Sequence, residues 1–168
     1  MPAPRIMFGP SARPAVVSAY TRKLVRGLLK AADCPSCVIS STSRTPAEQA
    51  RAMYANIVSL GITSQLALYA PAGDEVINEY VRVRKTGAAP ATIIAAMTAK
   101  IVALGPSRVS LHCADPVALN VIDIAPSSIA DPVAFLAAIQ AATAQGAISR
   151  FFSPGSHDPA FHLEIPQP

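Results

Sequence analysis

Apolar residues recur at helical spacing in several blocks of the chain, each bounded by a capping or breaking residue. Between Ala15 and Ala31, Val17, Tyr20, Leu24 and Leu28 fall on one face while Arg22, Lys23, Arg26 and Lys30 occupy the others. That pattern predicts an amphipathic helix with a basic side. Thr45-Pro46-Ala47-Glu48 has the form of a capping box, with a threonine N-cap, proline at the first helical position and a glutamate able to reach back to the cap amide. Ala50, Met53, Tyr54, Ile57 and Leu60 then share a face, and Gly61 supplies a left-handed stop. Pro90 opens another helix with Ile93, Ile94, Met97, Ile101 and Leu104 inward, closed by Gly105-Pro106. Asp131-Pro132 opens a further one carrying Val133, Leu136 and Ile139 and ending at Gly146. Residues 62–89 fit two patterns, since Val76, Ile77, Tyr80 and Val81 suit a helix while Tyr80 to Arg84 also alternates as a strand; a helix is expected.

Period-two or short β-branched runs predict strands at Ser36 to Ser41, Arg108 to His112, Leu119 to Ile124, Ile148 to Phe152 and Ala160 to Ile165. Helices come first and a small sheet follows with a helix inserted, which is an α+β order. No repeat, heptad run or linker interrupts the 168 residues, so one domain is expected, with loosely ordered ends at residues 1–10 and 166–168.

Composition narrows the classes. Half of the residues are apolar (51%), which suits a packed core, and the 16 prolines act as punctuation between elements. No apolar run approaches the ~20 residues that span a bilayer, and the opening MPAPRIMFGPSARP lacks the basic start and apolar stretch of a signal peptide. A product made in the cytoplasm, without membrane insertion, is expected. A net charge of +4 without a Lys/Arg run favours an anionic partner, but not nucleic acid.

Chemistry is concentrated late in the chain. His112, Asp123 and His162 form a two-imidazole, one-carboxylate set, the donor type that holds zinc with one position open for water. Scattered over strands, the same residues also read as satisfied structural groups. His157 reads as a solvated loop residue. Cys34-Pro35-Ser36-Cys37 is a C-x-x-C, but it follows a helix and precedes a strand, the reverse of the redox-active placement. Buried inert thiols, or a structural zinc site on Cys34, Cys37, Cys113 and His112, are the alternatives there.

Three blocks resemble the zinc D-alanyl-D-alanine peptidases of the Hedgehog/DD-peptidase fold, which include carboxypeptidases, dipeptidases and L-alanyl-D-glutamate endopeptidases of phage endolysins. ISSTSRTPAEQARAMY is similar to the family's S-x-x-R-[ST]-x-x-x-Q block, with Arg44 and Gln49 in the substrate-contacting places. SLHCADPVALNVIDIAP resembles the S-x-H-x-x-G-x-A-x-D block, which places Ser110, His112 and Asp123. GAISRFFSPGSHDPAFHLEIP looks like the closing strand pair with H-[FLV]-[EDQ] at His162. The His112 to Asp123 interval is wider than in the family, with Cys113-Ala114-Asp115-Pro116 in place of its glycine; a turn at Asp115-Pro116 would loop out the excess.

The resemblance implies N-terminal helices packed on a small, mostly antiparallel sheet, and zinc held by His112, Asp123 and His162. It implies hydrolysis of a peptidoglycan stem peptide at a D-Ala-D-Ala or L-Ala-D-Glu type of amide. Asp158, four before His162, is the implied general base; Glu164, on the same strand face as His162 if alternation holds, is its rival or an orienting group. Arg44 would contact a substrate carboxylate or oxyanion, although a surface ion pair is its plain alternative. Gln49 and Ser110 would bind substrate, or serve only as a polar helix residue and a strand serine. Such an enzyme would act at the cell wall after release, with a holin or other export partner. The competing expectation is a non-catalytic binding or structural protein on the same scaffold with a decayed metal site.

Overall fold

The structure is a computed structural model and describes residues 3–156 and 158–168; the expectation for His157 therefore lies outside the described residues. In chain order the elements are β1 (Arg5–Phe8), α1 (Ala19–Ala31), β2 (Ser36–Ser41), α2 (Pro46–Leu60), α3 (Ile62–Leu68), α4 (Pro71–Arg84) and α5 (Pro90–Leu104). There follow α6 (Pro106–Val109), β3 (Leu119–Ile124), α7 (Pro132–Ala144), β4 (Arg150–Phe152) and β5 (Phe161–Pro166). Single 3-10 turns stand at Pro14–Val16, Leu111–Cys113 and Pro126–Ser128. Among the described residues this is an α+β protein with seven helices and a five-stranded mixed sheet. None of those helices is long and apolar enough to cross a membrane. The chain divides into two compact units, one running to Ser43 and resuming at Asp115, the other Arg44–Ala114.

The first unit is built on the sheet, in the order β1-β2-β3-β5-β4. β1 runs parallel to β2, and the other three pairings are antiparallel. Strand alternation sends Ile122, Ile124, Phe161, Leu163 and Ile165 to one face, where they share an apolar core with Val25, Leu28 and Leu29 of α1 and Phe135 and Ile139 of α7. α1 starts because Ser18 accepts the Thr21 amide, and it stops in a Schellman turn. There the Cys34 amide bonds to the Leu29 carbonyl, and Asp33 takes the left-handed position at φ 50°. Asn120 pins the approach to α1, accepting from the Ser18 amide and donating to the Val16 and Pro116 carbonyls.

The second unit is helical. Its core unites Ala50, Met53 and Ile57 of α2, Val76, Ile77, Tyr80 and Val83 of α4, Ile93, Met97 and Ile101 of α5, and Val109 of α6. The capping box at Thr45 forms as the sequence predicts: the Thr45 hydroxyl accepts from the Glu48 amide, and the Glu48 carboxylate accepts from the Thr45 amide at 2.7 Å. The helical alternative for residues 62–89 is the one adopted, divided into α3 and α4 at Pro71.

Several local expectations are corrected. Arg108 to His112 is not a strand; Pro106 takes the first position of α6 after Gly105 at φ 92°, and the Ser110 amide closes the turn on the Pro106 carbonyl. Within the N-terminal segment expected to be loose, β1 (Arg5–Phe8) pairs with β2, and the Arg5 and Gly9 amides bond to the Pro35 and Ile39 carbonyls. At the other end Pro166 belongs to β5, and Gln167 bonds to the Ala118 carbonyl and the Thr21 hydroxyl. Tyr20 and Val133, expected inside, are exposed; Val25 and Phe135 take the inward places.

Gln65 of α3 is fully buried, and neither atom of its side-chain amide has a hydrogen-bond partner among the described residues. An unpaired buried polar group costs about 1–3 kcal/mol, whereas an apolar group of similar shape costs nothing of that kind. Gln65→Met should therefore raise the free energy of unfolding in urea by about 1–2 kcal/mol. A loss of stability instead would mean that the amide is satisfied, for example by an internal water.

Candidate functional site

The polar face of the sheet in the first unit is set by register. Asp123 of β3 lies opposite His162 of β5, Val121 opposite Glu164, and on β4 Phe152 and Arg150 lie opposite His162 and Glu164. Alternation thus puts His162 and Glu164 on one face, away from Phe161, Leu163 and Ile165. An irregularity in β2 between Ile39 and Ser41 brings Ser41 opposite Asp123. The result is a buried row of Asp123, His162 and Glu164.

Both imidazole nitrogens of His162 are engaged. Nδ1 is 2.9 Å from Oδ1 of Asp123, and Nε2 is 3.3 Å from Oε1 of Glu164. Arg150 Nε donates to the same Glu164 oxygen at 3.0 Å, its guanidinium lying over the Phe152 ring, which in turn packs 5.5 Å from the His162 ring. Burial alone would push the imidazole pKa down. Hydrogen bonds to Asp123 and Glu164, with the charges of Asp123 and Asp158, outweigh it and raise His162 to about 9. Burial likewise works to raise Glu164, but the hydrogen bond from His162 and the charge of Arg150 prevail and hold its carboxyl below the usual range. Near neutrality these partners favour the protonated form of the imidazole. Asp158 stands in the loop before β5, where its Oδ1 accepts the Ala160 amide at 2.8 Å.

The remaining expected residues belong to the second unit. Arg44 precedes the capping box, its amide donating to the His112 carbonyl at 2.6 Å and its Nη1 to Oε1 of Gln49 at 3.1 Å. Gln49 is fully buried and passes a hydrogen bond on from Nε2 to the Tyr69 hydroxyl at 3.0 Å. His112 is buried in the Leu111–Cys113 turn, and Ser110, expected on a strand, caps that turn by accepting the His112 amide. Asp123 and His162 are thus partners within the first unit, and His112, the third expected ligand, is carried by the second. The turn expected at Asp115-Pro116 is present: the Asp115 side chain accepts the Val117 amide, and its carbonyl accepts from Ala118 and Leu119. Tyr69 was absent from the sequence expectations; nothing in its spacing marks it, and only the folded contact with Gln49 identifies it.

Cys34 and Cys37 are buried in the apolar core of the first unit, where burial and then the neighbouring Cys34 push the Cys37 thiol up to about 12. Burial raises Cys113 to about 11 against the opposing pull of Arg44. Among the described residues no potential metal-binding group includes a cysteine. Burial therefore holds Cys37 and Cys113 in the unreactive thiol form near neutrality.

Compared with protein-family models, curated proteins and solved structures, the chain matches none.

The His162 row makes stability depend on pH. The imidazole titrates near ~6.5 in the unfolded chain and at about 9 in the folded protein. The folded state therefore binds the extra proton; the stabilisation is complete below pH ~6.5 and is lost as pH rises through the folded value. In chelator-treated protein, urea unfolding should lose up to roughly 1 kcal/mol per pH unit between pH ~6.5 and ~8.5. His162→Gln should flatten this dependence, and a parent protein already flat over that window would contradict the protonated row.

Proposed function

We propose that the chain is a zinc-dependent hydrolase of peptidoglycan stem peptides, on a Hedgehog/DD-peptidase-like scaffold, acting on a D-Ala-D-Ala or L-Ala-D-Glu type of amide. One observation carries the reading. Asp123 and His162 stand opposite each other on neighbouring strands with ligand atoms 2.9 Å apart, while Glu164 holds the far nitrogen of the imidazole. Zinc bonds of ~2.0–2.2 Å in a tetrahedral site separate ligand atoms by roughly 3.4 Å, so a small opening of this pair suits a shared metal in place of the shared proton. A carboxylate on the second nitrogen is the arrangement that orients a metal-bound histidine and raises its basicity. The donor set therefore fits the group.

In this reading His112 completes the ligand set with Asp123 and His162. The chain crosses between its units at Ser43–Arg44 and Ala114–Asp115. Zinc, when bound, supplies a Lewis acid for the scissile carbonyl and lowers the pKa of water. Asp158 takes the proton of the attacking water and returns it to the leaving amine; one of its oxygens is already fixed by the Ala160 amide. Glu164, committed to Arg150 and His162, orients the ring. Arg44 binds a substrate carboxylate or the developing oxyanion; Gln49, fully buried and bonded to Arg44, acts through it, and Ser110 is a further substrate-binding residue in this reading. Action at the wall follows release, with a holin or other export partner.

A second reading, a binding or structural protein without metal, is favoured by a different feature of the same row. Arg150, Glu164, His162 and Asp123 alternate in charge and satisfy one another without an ion.

Metal analysis separates the two. Purified protein should carry one equivalent of zinc, lost in His162→Ala. Asp158→Ala should keep the zinc and lose hydrolysis of a stem peptide by about 10²–10⁴-fold, whereas Glu164→Gln should weaken zinc binding by about 10–100-fold. Protein that refuses zinc at neutral pH, with all three side chains intact, sinks the enzyme reading and leaves the second.

A further inference from the structure

We propose that Tyr69 and Gly73 are positioning residues that brace the Arg44 guanidinium for a substrate carboxylate; this rests on Arg44 being the substrate-contacting arginine of the peptidase proposed above. The brace lies entirely in the second unit and is a chain of three contacts.

Its middle member is Gln49, which has no solvent-exposed surface. Oε1 accepts from Arg44 Nη1, and Nε2 donates to the Tyr69 hydroxyl. Flipping the amide would set two N–H groups against the guanidinium, so the arginine fixes the orientation and the tyrosine receives the other end. Because Gln49 stands in the first turn of α2, behind the Thr45 capping box, its own backbone is held. Tyr69 is the C-cap of α3, with its amide bonded to the Gln65 carbonyl, so it too is anchored at the main chain.

Gly73 seats the ring. A Cβ at this position would lie 2.5 to 2.7 Å from Cβ, Cδ1 and Cγ of Tyr69, distances that real Cβ atoms do not adopt. Gly73 is inside α4 and is not among the glycines with positive φ. Its backbone therefore does not need glycine; the space does. A glycine within a helix costs ~1 kcal/mol relative to alanine, and here that cost accompanies close seating of one aromatic ring. The ring carries the hydroxyl that completes the Gln49 bond. A tyrosine used only for packing would need the ring and not the hydroxyl.

Tyr69→Phe isolates the hydroxyl, and Gly73→Ala displaces the ring; if the alanine variant fails to fold, the phenylalanine variant alone decides. The whole 168-residue chain, zinc-loaded, is used, with a synthetic stem pentapeptide ending in D-Ala-D-Ala and a stem peptide containing L-Ala-D-Glu as substrates. Two quantities are read: the Arg44 Nε–Hε signal in ¹H–¹⁵N spectra and kcat/KM. In Tyr69→Phe the Arg44 signal should shift toward that of a mobile side chain, and turnover should fall about 10-fold, the worth of one hydrogen bond in an ordered site. Arg44→Ala should lose about 10²–10³-fold, with poor rescue by lysine. Adding Tyr69→Phe to Arg44→Ala should cost nothing more, because the tyrosine acts through the arginine. An unmoved Arg44 signal in Tyr69→Phe, or a full additional loss in the double variant, overturns the brace. A displaced Arg44 signal in a protein whose parent cuts neither peptide leaves the Tyr69–Gln49–Arg44 contacts standing but overturns the peptidase reading and, with it, the role of the brace toward substrate.

Discussion

The pairing of Asp123 with His162 across β3 and β5 is the constraint on which the first unit's chemistry depends. A buried imidazole needs partners for both of its ring nitrogens, and here two carboxyl groups supply them, one on each nitrogen. This requires β3 and β5 to keep a single register, because a slip of one residue would send His162 and Glu164 into the apolar core and Leu163 to the polar face. The core itself opposes such a slip: Phe161, Leu163 and Ile165 are committed to α1 and α7. The polar row and the apolar core therefore specify the same strand alignment from opposite faces.

The two units solve different problems. In the first, non-local strand pairing brings titratable groups from distant parts of the chain into one row. In the second, polar positioning is achieved by short-range devices at helix ends: the capping box at Thr45, the cap at Ser110 and the corner at Tyr69. The Arg44 side chain is consequently held through Gln49 and Tyr69 and its main chain by the His112 carbonyl, whereas His162 is ordered by strands.

What could be read in the sequence follows this division. The capping box was legible because every atom it needs lies within four residues. Glu164 beside His162 was legible too, since strand alternation is a strict period of two. Arg108 to His112 misled because its side chains alternate like a strand, while Gly105-Pro106 redirects the backbone into successive helical turns. β1 was hidden because a parallel edge strand of four residues is defined by its partner β2 and not by its own pattern. The division at Ser43–Arg44 and Ala114–Asp115 has no linker composition to announce it. Tyr69 and Gly73 carry meaning only through a ring contact that no periodicity encodes.

The hydrogen bond from the Arg44 amide to the His112 carbonyl also bears on how the chain folds. It joins the two ends of the second unit, so that this unit is an insertion whose termini meet, placed between β2 and β3 of a sheet that cannot be completed without bridging it. Pairing β2 with β3 across an unfolded insertion means closing a loop of roughly 80 residues; once the helices have folded and their ends are clasped, the loop is effectively about 10. On the logarithmic dependence of loop closure this lowers the entropic cost of the β2–β3 pairing by about 2 kcal/mol. On this entropy argument, pairing β2 with β3 costs less when the helical insertion has already folded and its ends are clasped than when it has not.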